Sequence, residues 1–387
     1  MQLSEVTDKT TRRLFHRLPH LIYKNDPNWA CPLEVMVENV FNPKKNMAFK
    51  NGNAIRWIVT DDGGNVIGRI GAFFNRDKAA IFEQPTGGCG FFECVDDQEV
   101  ANLLFDSARN WLTDNGMEAM DGPVNFGENY INWGVLAEGF MPQGFGMPYN
   151  PPYYVKLFKN YGFDIFFRQF SYHLDITMPE LPERFWKIAE WVSKKPQFSF
   201  RHFNWRESEK FIDDFATVYD AAWKAHEHFK PIDKDDLRDF LESSKLLIEE
   251  EFIWFAYHNN EPIALYVMVP DLNQILQHLN GKSNLYSIAK LLWLKRRKTI
   301  TRTRALIIGI APKYQKSGIE SAIFYNLRPV MYRKPWYKEL ELSWAGDFNP
   351  RIVALYESVG GKRMKTHYTM RYLFDREKPF KRALEIK

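Results

Sequence analysis

Apolar residues recur along this chain with two periods, and the changes of period divide it into elements. Over 54–60 and 66–74 apolar and polar positions alternate, as on strands whose successive side chains face opposite ways. Asp61, Asp62, Gly63, Gly64 and Asn65 between them predict a hairpin turn. Residues 87–95 read as a further strand. Over 97–115 the period turns helical, with Val100, Leu104, Ala108 and Leu112 on one side and Gly116 as the stop. A helix over 10–24 precedes this block. A Gly-, Asn- and Pro-rich stretch over 122–152 reads as a long loop, followed by a short helix at 153–161 and a strand at 166–176.

The second half repeats that order. The pattern predicts a strand at 198–203, a helix at 207–226, a hairpin of 252–258 and 263–269 over Asn259-Asn260-Glu261-Pro262, and a strand at 305–311. A helix at 317–328, a strand at 338–344, a helix at 350–359 and a strand at 365–374 complete it. Pro179 and Pro182 mark the boundary, giving a domain over 1–178, a linker helix over 179–195 and a domain over 196–387. The repetition is one of architecture rather than of letters.

Length agrees with two units, since 387 residues exceed one ordinary domain. A content of 45% hydrophobic and 26% charged residues belongs to globular proteins. Aromatic residues make up 16%, enough to fill two cores or to line an apolar cleft as well. The net charge of +4 is too small to imply nucleic acid as a partner. Three cysteines, Cys31, Cys89 and Cys94, form neither a disulfide framework nor a zinc spacing, so a reducing cytoplasm and no metal are expected. The first fifteen residues lack the apolar stretch of a signal peptide, and no run of about 18 apolar residues predicts a membrane span.

Two segments carry chemistry. In the first, an apolar strand runs through Ile308 and Ile310 into Gln315-Lys316-Ser317-Gly318, and a helix begins at once with Ile319. Backbone N–H groups of a first helical turn lack acceptors and, with the helix dipole, suit a phosphate. Gly318 would allow close approach, and Lys313 and Lys316 add positive charge. The same pattern also serves as a plain tight connection. In the second segment Asn349 caps a helix that opens with Pro350 and ends at Gly360 and Gly361, with Tyr356 two turns along the face. Taken alone it is a well-capped amphipathic helix.

Together and in this order the segments resemble the GNAT acetyltransferase superfamily. Its first motif, a strand ending in Val-x-Pro and then Gln/Arg-x-x-Gly-x-Gly/Ala, is matched by Ile310-Ala311-Pro312 and by Gln315-x-x-Gly318-x-Glu320. Its second, Asn-x-x-Ala-x-x-Leu-Tyr-Glu-Lys-x-Gly, is matched by Asn349, Ile352, Leu355, Tyr356, Glu357 and Gly360. Glu320 departs from the pattern, placing a carboxylate where the family has Gly or Ala. In the first half, Leu157-Phe158-Lys159-Asn160-Tyr161-Gly162-Phe163 is similar to the second motif with Phe158 in place of the phenol. Asp96, Asp97 and Glu99 stand where the first motif should be, and they would repel a pyrophosphate. The wording Gly-Phe-Phe-Glu, Tyr-Asn-Pro-Pro-Tyr-Tyr and Val-Pro-Asp-Leu-Asn is similar to a bacterial group of tandem GNAT-like proteins related to YghO.

The resemblance implies an α/β (α+β) fold of two tandem GNAT-like domains, each a mixed, mostly antiparallel sheet flanked by helices. It implies acetyl-CoA or a longer acyl-CoA as co-substrate, held by Ile310, Gln315, Lys316, Ser317, Gly318, Ile319 and Asn349 of the second half only. A backbone N–H near Ile308 would meet the thioester oxygen, and Tyr356 would protonate the departing sulfur. Glu341, on one strand face with Glu339 and followed by Asp347, is the candidate catalytic carboxylate. His226 and His228 lie where a loop would frame the acceptor, as functional groups or as exposed loop histidines. The expected activity is acyl-CoA-dependent N-acylation of an amine, small-molecule or lipid (sphingoid-type). The alternatives are a binding protein with decayed sites and a Fem-like transferase using aminoacyl-tRNA.

One segment stands outside this pattern. From Asn284 to Lys298 seven large apolar residues precede Lys295-Arg296-Arg297-Lys298. This is either a helix packed between domains with a solvated basic end, or a peripheral contact with the inner face of a membrane.

Overall fold

The computed structural model describes residues 1–127, 131–177, 183–224, 231–245 and 248–385. Its strands are β1 (Gln2–Glu5), β2 (Gly52–Thr60), β3 (Val66–Asn75), β4 (Thr86–Cys94), β5 (Ala119–Gly122), β6 (Val135–Glu138), β7 (Asp164–Asp175), β8 (Phe198–His202), β9 (Ile253–His258), β10 (Glu261–Pro270), β11 (Arg302–Ile310), β12 (Glu339–Gly346) and β13 (Lys362–Leu373). Among the described residues they form one sheet in the order β1-β2-β3-β4-β5-β13-β7-β12-β11-β10-β9-β8, with β6 added on β13. The pairs β4–β5 and β11–β12 are parallel and the remainder antiparallel. This is the mixed, mostly antiparallel α/β architecture expected, with its helices packed on the sheet.

The two halves exchange their last strands. β13, from the second half, lies between β5 and β7 of the first, and β7 lies between β13 and β12. Both backbone rows of each strand are thereby paired, so no edge is left where the halves meet. Alternation within 166–176 and 365–374 specifies strands but not these partners.

Other differences are local. The stretch 122–152 contains β6, and a helix not expected from the pattern occupies Lys234–Ser243. The boundary residues 178–182, with Pro179 and Pro182, lie outside the described residues; the connecting helix runs over Glu183–Ser193. One apolar core lies between the second-half sheet and the helix Ile319–Arg333, and another between the first-half sheet and Gln98–Asp114.

Candidate functional site

β11 and β12 run side by side for three residue pairs only, Arg302 with Glu339, Thr303 with Leu340 and Arg304 with Glu341. Beyond Arg304, β11 continues against β10 and β12 continues against β7, so the strands part. A bulge at Leu306, where Val267 faces Ile307 but Met268 faces Ala305, re-aims the β11 backbone just past the fork. A small apolar cavity of about 30 Å³ opens in the fork, lined by Tyr266, Ile308, Phe324, Leu355 and Tyr356 among others.

The Tyr356 ring is buried edge-on against Tyr172, with centroids 5.6 Å apart. Among the described residues none exchanges a hydrogen bond with its hydroxyl. Burial pushes this phenol above its ordinary range, with the Arg304 guanidinium opposing, so it stays protonated at neutral pH. Tyr266 escaped the sequence reading because it sits in an ordinary alternating strand. It is 1% exposed, and its hydroxyl is covered with no partner among the described residues.

At the far end of β11 the turn Gln315-Lys316-Ser317 is exposed, with Lys316 at φ 61° and Gly318 at φ 80°. The helix Ile319–Arg333 starts there without a side-chain cap, so its first N–H groups are not claimed by a cap. Gly318 has a reason other than room for phosphate: its left-handed backbone, and a Cβ that would come 3.2 Å from Ile188 of the connecting helix. The Ile319 side chain is wholly buried, which leaves only its backbone to meet a ligand. Asn349 accepts from the Ile352 N–H at 3.4 Å, as a helix cap. Glu320 is half-buried, with Oε2 covered and unpartnered among the described residues.

The corresponding fork of the first half is closed. β4 and β5 pair from Thr86–Ala119 to Gly88–Asp121, and the chain then folds back, the Val124 N–H donating to the Cys89 carbonyl at 2.8 Å. A Cβ on Gly90 would lie 1.9 Å from the Val124 oxygen, so backbone fills the space. Asp97 caps the following helix, accepting from the Glu99 and Val100 N–H groups. Phe158 packs between Phe92 and Phe105 as core.

Glu341 sits at the base of the open fork, fully buried. Its Oε2 accepts from Lys365 Nζ at 2.9 Å and lies 2.9 Å from His173 Nε2, and Arg304 Nε is 3.9 Å from Oε1. Burial pushes its carboxyl up, but Lys365, His173 and Arg304 outweigh that and hold it well below the ordinary carboxylate range. So enclosed, it has the geometry of an anchor rather than of a base open to an acceptor. Above it runs the first-half segment 142–148. Lys365 donates to the Pro142 carbonyl, Asp271 accepts from the Phe145 N–H at 2.8 Å, and Arg304 donates to the Phe145 carbonyl. A Cβ on Gly144 would lie 2.5 Å from Glu341 Oε1. The first half thus lays a wall over the fork.

Glu339 is exposed, and Asp347 accepts from the Arg168 N–H and from Arg382. His226 and His228 lie outside the described residues. A larger groove of about 440 Å³, bordered by Phe140, Lys156, Lys159 and Tyr368, is open to solvent and contains none of the second half's motif residues. Among the described residues no group of three or more His, Cys, Asp and Glu side chains is placed to hold a metal, and no helix is long and apolar enough to cross a membrane.

A strand fork, an uncapped helix beyond it and a second, closed copy of the arrangement define a tandem GNAT-fold protein. The chain matches the solved tandem GNAT protein from the clavulanic acid biosynthesis pathway over 96% of its own length and 98% of that chain, with TM-score 0.59 and 12% identity. In sequence it is 27% identical over 378 residues to the bacterial ceramide synthase of Caulobacter vibrioides, covering 94% of this chain and 96% of that protein. It is 25% identical over 369 residues to protein YghO of Escherichia coli, covering 93% and 92%. No family model matches it.

Proposed function

We propose that the second half transfers an acyl group from acetyl-CoA or a longer acyl-CoA to an amine, and that the amine belongs to a sphingoid-type lipid. The observation that carries this reading is the open fork between β11 and β12, with Tyr356 inside it and an uncapped, cationic helix start at its end. Bound acyl-CoA supplies the acyl group as an activated thioester. The chain supplies the rest. The N–H groups after Gly318, with Lys316, hold the pyrophosphate. The backbone near Ile308, freed from β12, turns an N–H to the thioester oxygen. As the amine nitrogen bonds to the thioester carbon and the C–S bond breaks, the Tyr356 phenol, kept protonated by burial, gives its proton to the departing sulfur and regains one from the acylated nitrogen. Longer acyl groups require the side chains around the narrow cavity, Ile308 and Leu355 among them, to rotate aside. The choice of acceptor is supported by the Caulobacter relative, since a ceramide is an N-acylated sphingoid base.

The test is calorimetric titration of acetyl-CoA and palmitoyl-CoA. Gly318→Asp would strain the left-handed turn and strike Ile188, so Lys316→Glu is the better probe: it reverses an exposed charge at a backbone both residues tolerate alike. Losing one charge-assisted contact, at about 1.5–3 kcal/mol, weakens binding about ten-fold or more. Asp97→Asn, at the closed fork, leaves it unchanged. Equal affinity of Lys316→Glu and wild type would remove the assignment. If wild type bound neither donor, a decayed site or aminoacyl-tRNA as donor would take its place.

A further inference from the structure

The helix Leu285–Arg296 is built inside out. Ser287, Lys290, Leu291 and Leu294, one stripe at helical spacing, face the body of the protein: Leu294 and Leu291 join the second-half core, and Lys290 donates to the His278 carbonyl at 2.8 Å. The opposite arc, about 160° wide at 100° per residue, should be polar on an ordinary surface helix. Instead it carries Leu285, Tyr286, Ile288, Leu292 and Trp293, which are 86%, 74%, 43%, 42% and 52% exposed. The outer face of the helix is therefore largely exposed rather than buried against the rest of the fold.

Charge says what covers that face. Arg296 is exposed on the same arc, Arg297 stacks on Trp293 at 4.8 Å, and Lys298 lies over the half-buried Trp336 at 3.9 Å. No acidic residue occurs from 284 to 298. Apolar side chains flanked by indoles and cations match the layering of an anionic bilayer, with acyl chains below and phosphate above. A second copy of this chain would bring the same cations face to face. We propose that this helix is a docking face for anionic lipid, by which the protein sits on a membrane surface with Leu285, Ile288 and Trp293 inserted and Arg296 and Arg297 at the headgroups. The helix leads through five residues into β11, so the docked face adjoins the fork strand.

Docking is read without acyl transfer, so it stands or falls independently of the acyltransferase reading. The full-length protein is floated with vesicles of phosphatidylcholine alone or with phosphatidylglycerol, at low salt and at about 1 M salt, where charges are screened beyond about 3 Å. Wild type is expected to float with the anionic vesicles at low salt and to fall away at high salt. Each cation near such a surface contributes about five-fold in partitioning, so the doubly reversed Arg296→Glu, Arg297→Glu protein should lose at least about 25-fold. Ile288→Ser with Trp293→Ser should lose at least about ten-fold with an unchanged melting curve, since both side chains are exposed. Wild type remaining unbound in every condition overturns the proposal, as does undiminished flotation of the serine variant. A dimer in vesicle-free buffer that the serine variant abolishes would assign the face to a second copy instead.

Discussion

Replacing Tyr356 by Phe separates chemistry from packing at the fork. The ring lies edge-on to Tyr172 and is buried, so Phe keeps its contacts. The hydroxyl has no hydrogen-bond partner among the described residues, so its loss should change stability by no more than about 0.5 kcal/mol, the scale of a substitution that removes no contact. A general acid contributes about 10²–10⁴ in rate, or about 2.7–5.4 kcal/mol at 1.36 kcal/mol per decade. Thiol release in single turnover, with saturating acyl-CoA and a long-chain amine, should slow by that factor while acyl-CoA affinity holds. The pH profile gives a second readout. Burial raises the phenol above its usual value of about 10, so deprotonation of Tyr356 should not produce an alkaline fall in turnover below that pH. Full single-turnover rate in the Phe variant would return Tyr356 to packing and remove the proton donor from the mechanism.

At the other phenol of the cleft the expectation is inverted: Tyr266→Phe removes a covered hydroxyl that has no described partner, so stability should hold or rise, an orphan group costing about 1–3 kcal/mol. Destabilisation by more than about 1 kcal/mol in equilibrium unfolding would reveal a partner for that hydroxyl. Glu341→Gln should cost about 3–5 kcal/mol at neutral pH, because the Lys365 ammonium and Arg304 guanidinium stay buried without their anion. At about 2.1 cal/mol/K of unfolding entropy per residue, that is about 4–6 °C in melting temperature if the chain unfolds as one unit. The folded carboxyl is depressed, so its stabilisation is complete above the unfolded value of about 4.3 and is lost as pH falls through the folded one. The gap between wild type and variant should accordingly be flat above about pH 5 and close below about pH 4. A gap that widened on acidification would contradict the ionised state of Glu341.

Most helices and strands were legible because they rest on short-range physics. Asn349, Pro350 and Gly360 punctuate a helix whatever surrounds it, and alternation over 66–74 marks a strand before its neighbours are known. The carboxylates of 96–99, of which Asp97 is the cap, and the uncapped turn of 315–318 already distinguished the two halves, since each turn is a local matter of side chains and backbone. Tertiary structure decided what depends on partners distant in the chain. It placed β13 between β5 and β7, because pairing is chosen by mutual register and not by a strand's own pattern. It filled the fork of the first half with the backbone of Val124, and it enclosed Glu341, the candidate catalytic carboxylate. The groups that hold that carboxylate come from β7, β11 and β13, and the segment covering it from 142–148. For the helix Leu285–Arg296 composition left a packed helix and a membrane face both open, and only packing shows which of its apolar side chains are exposed.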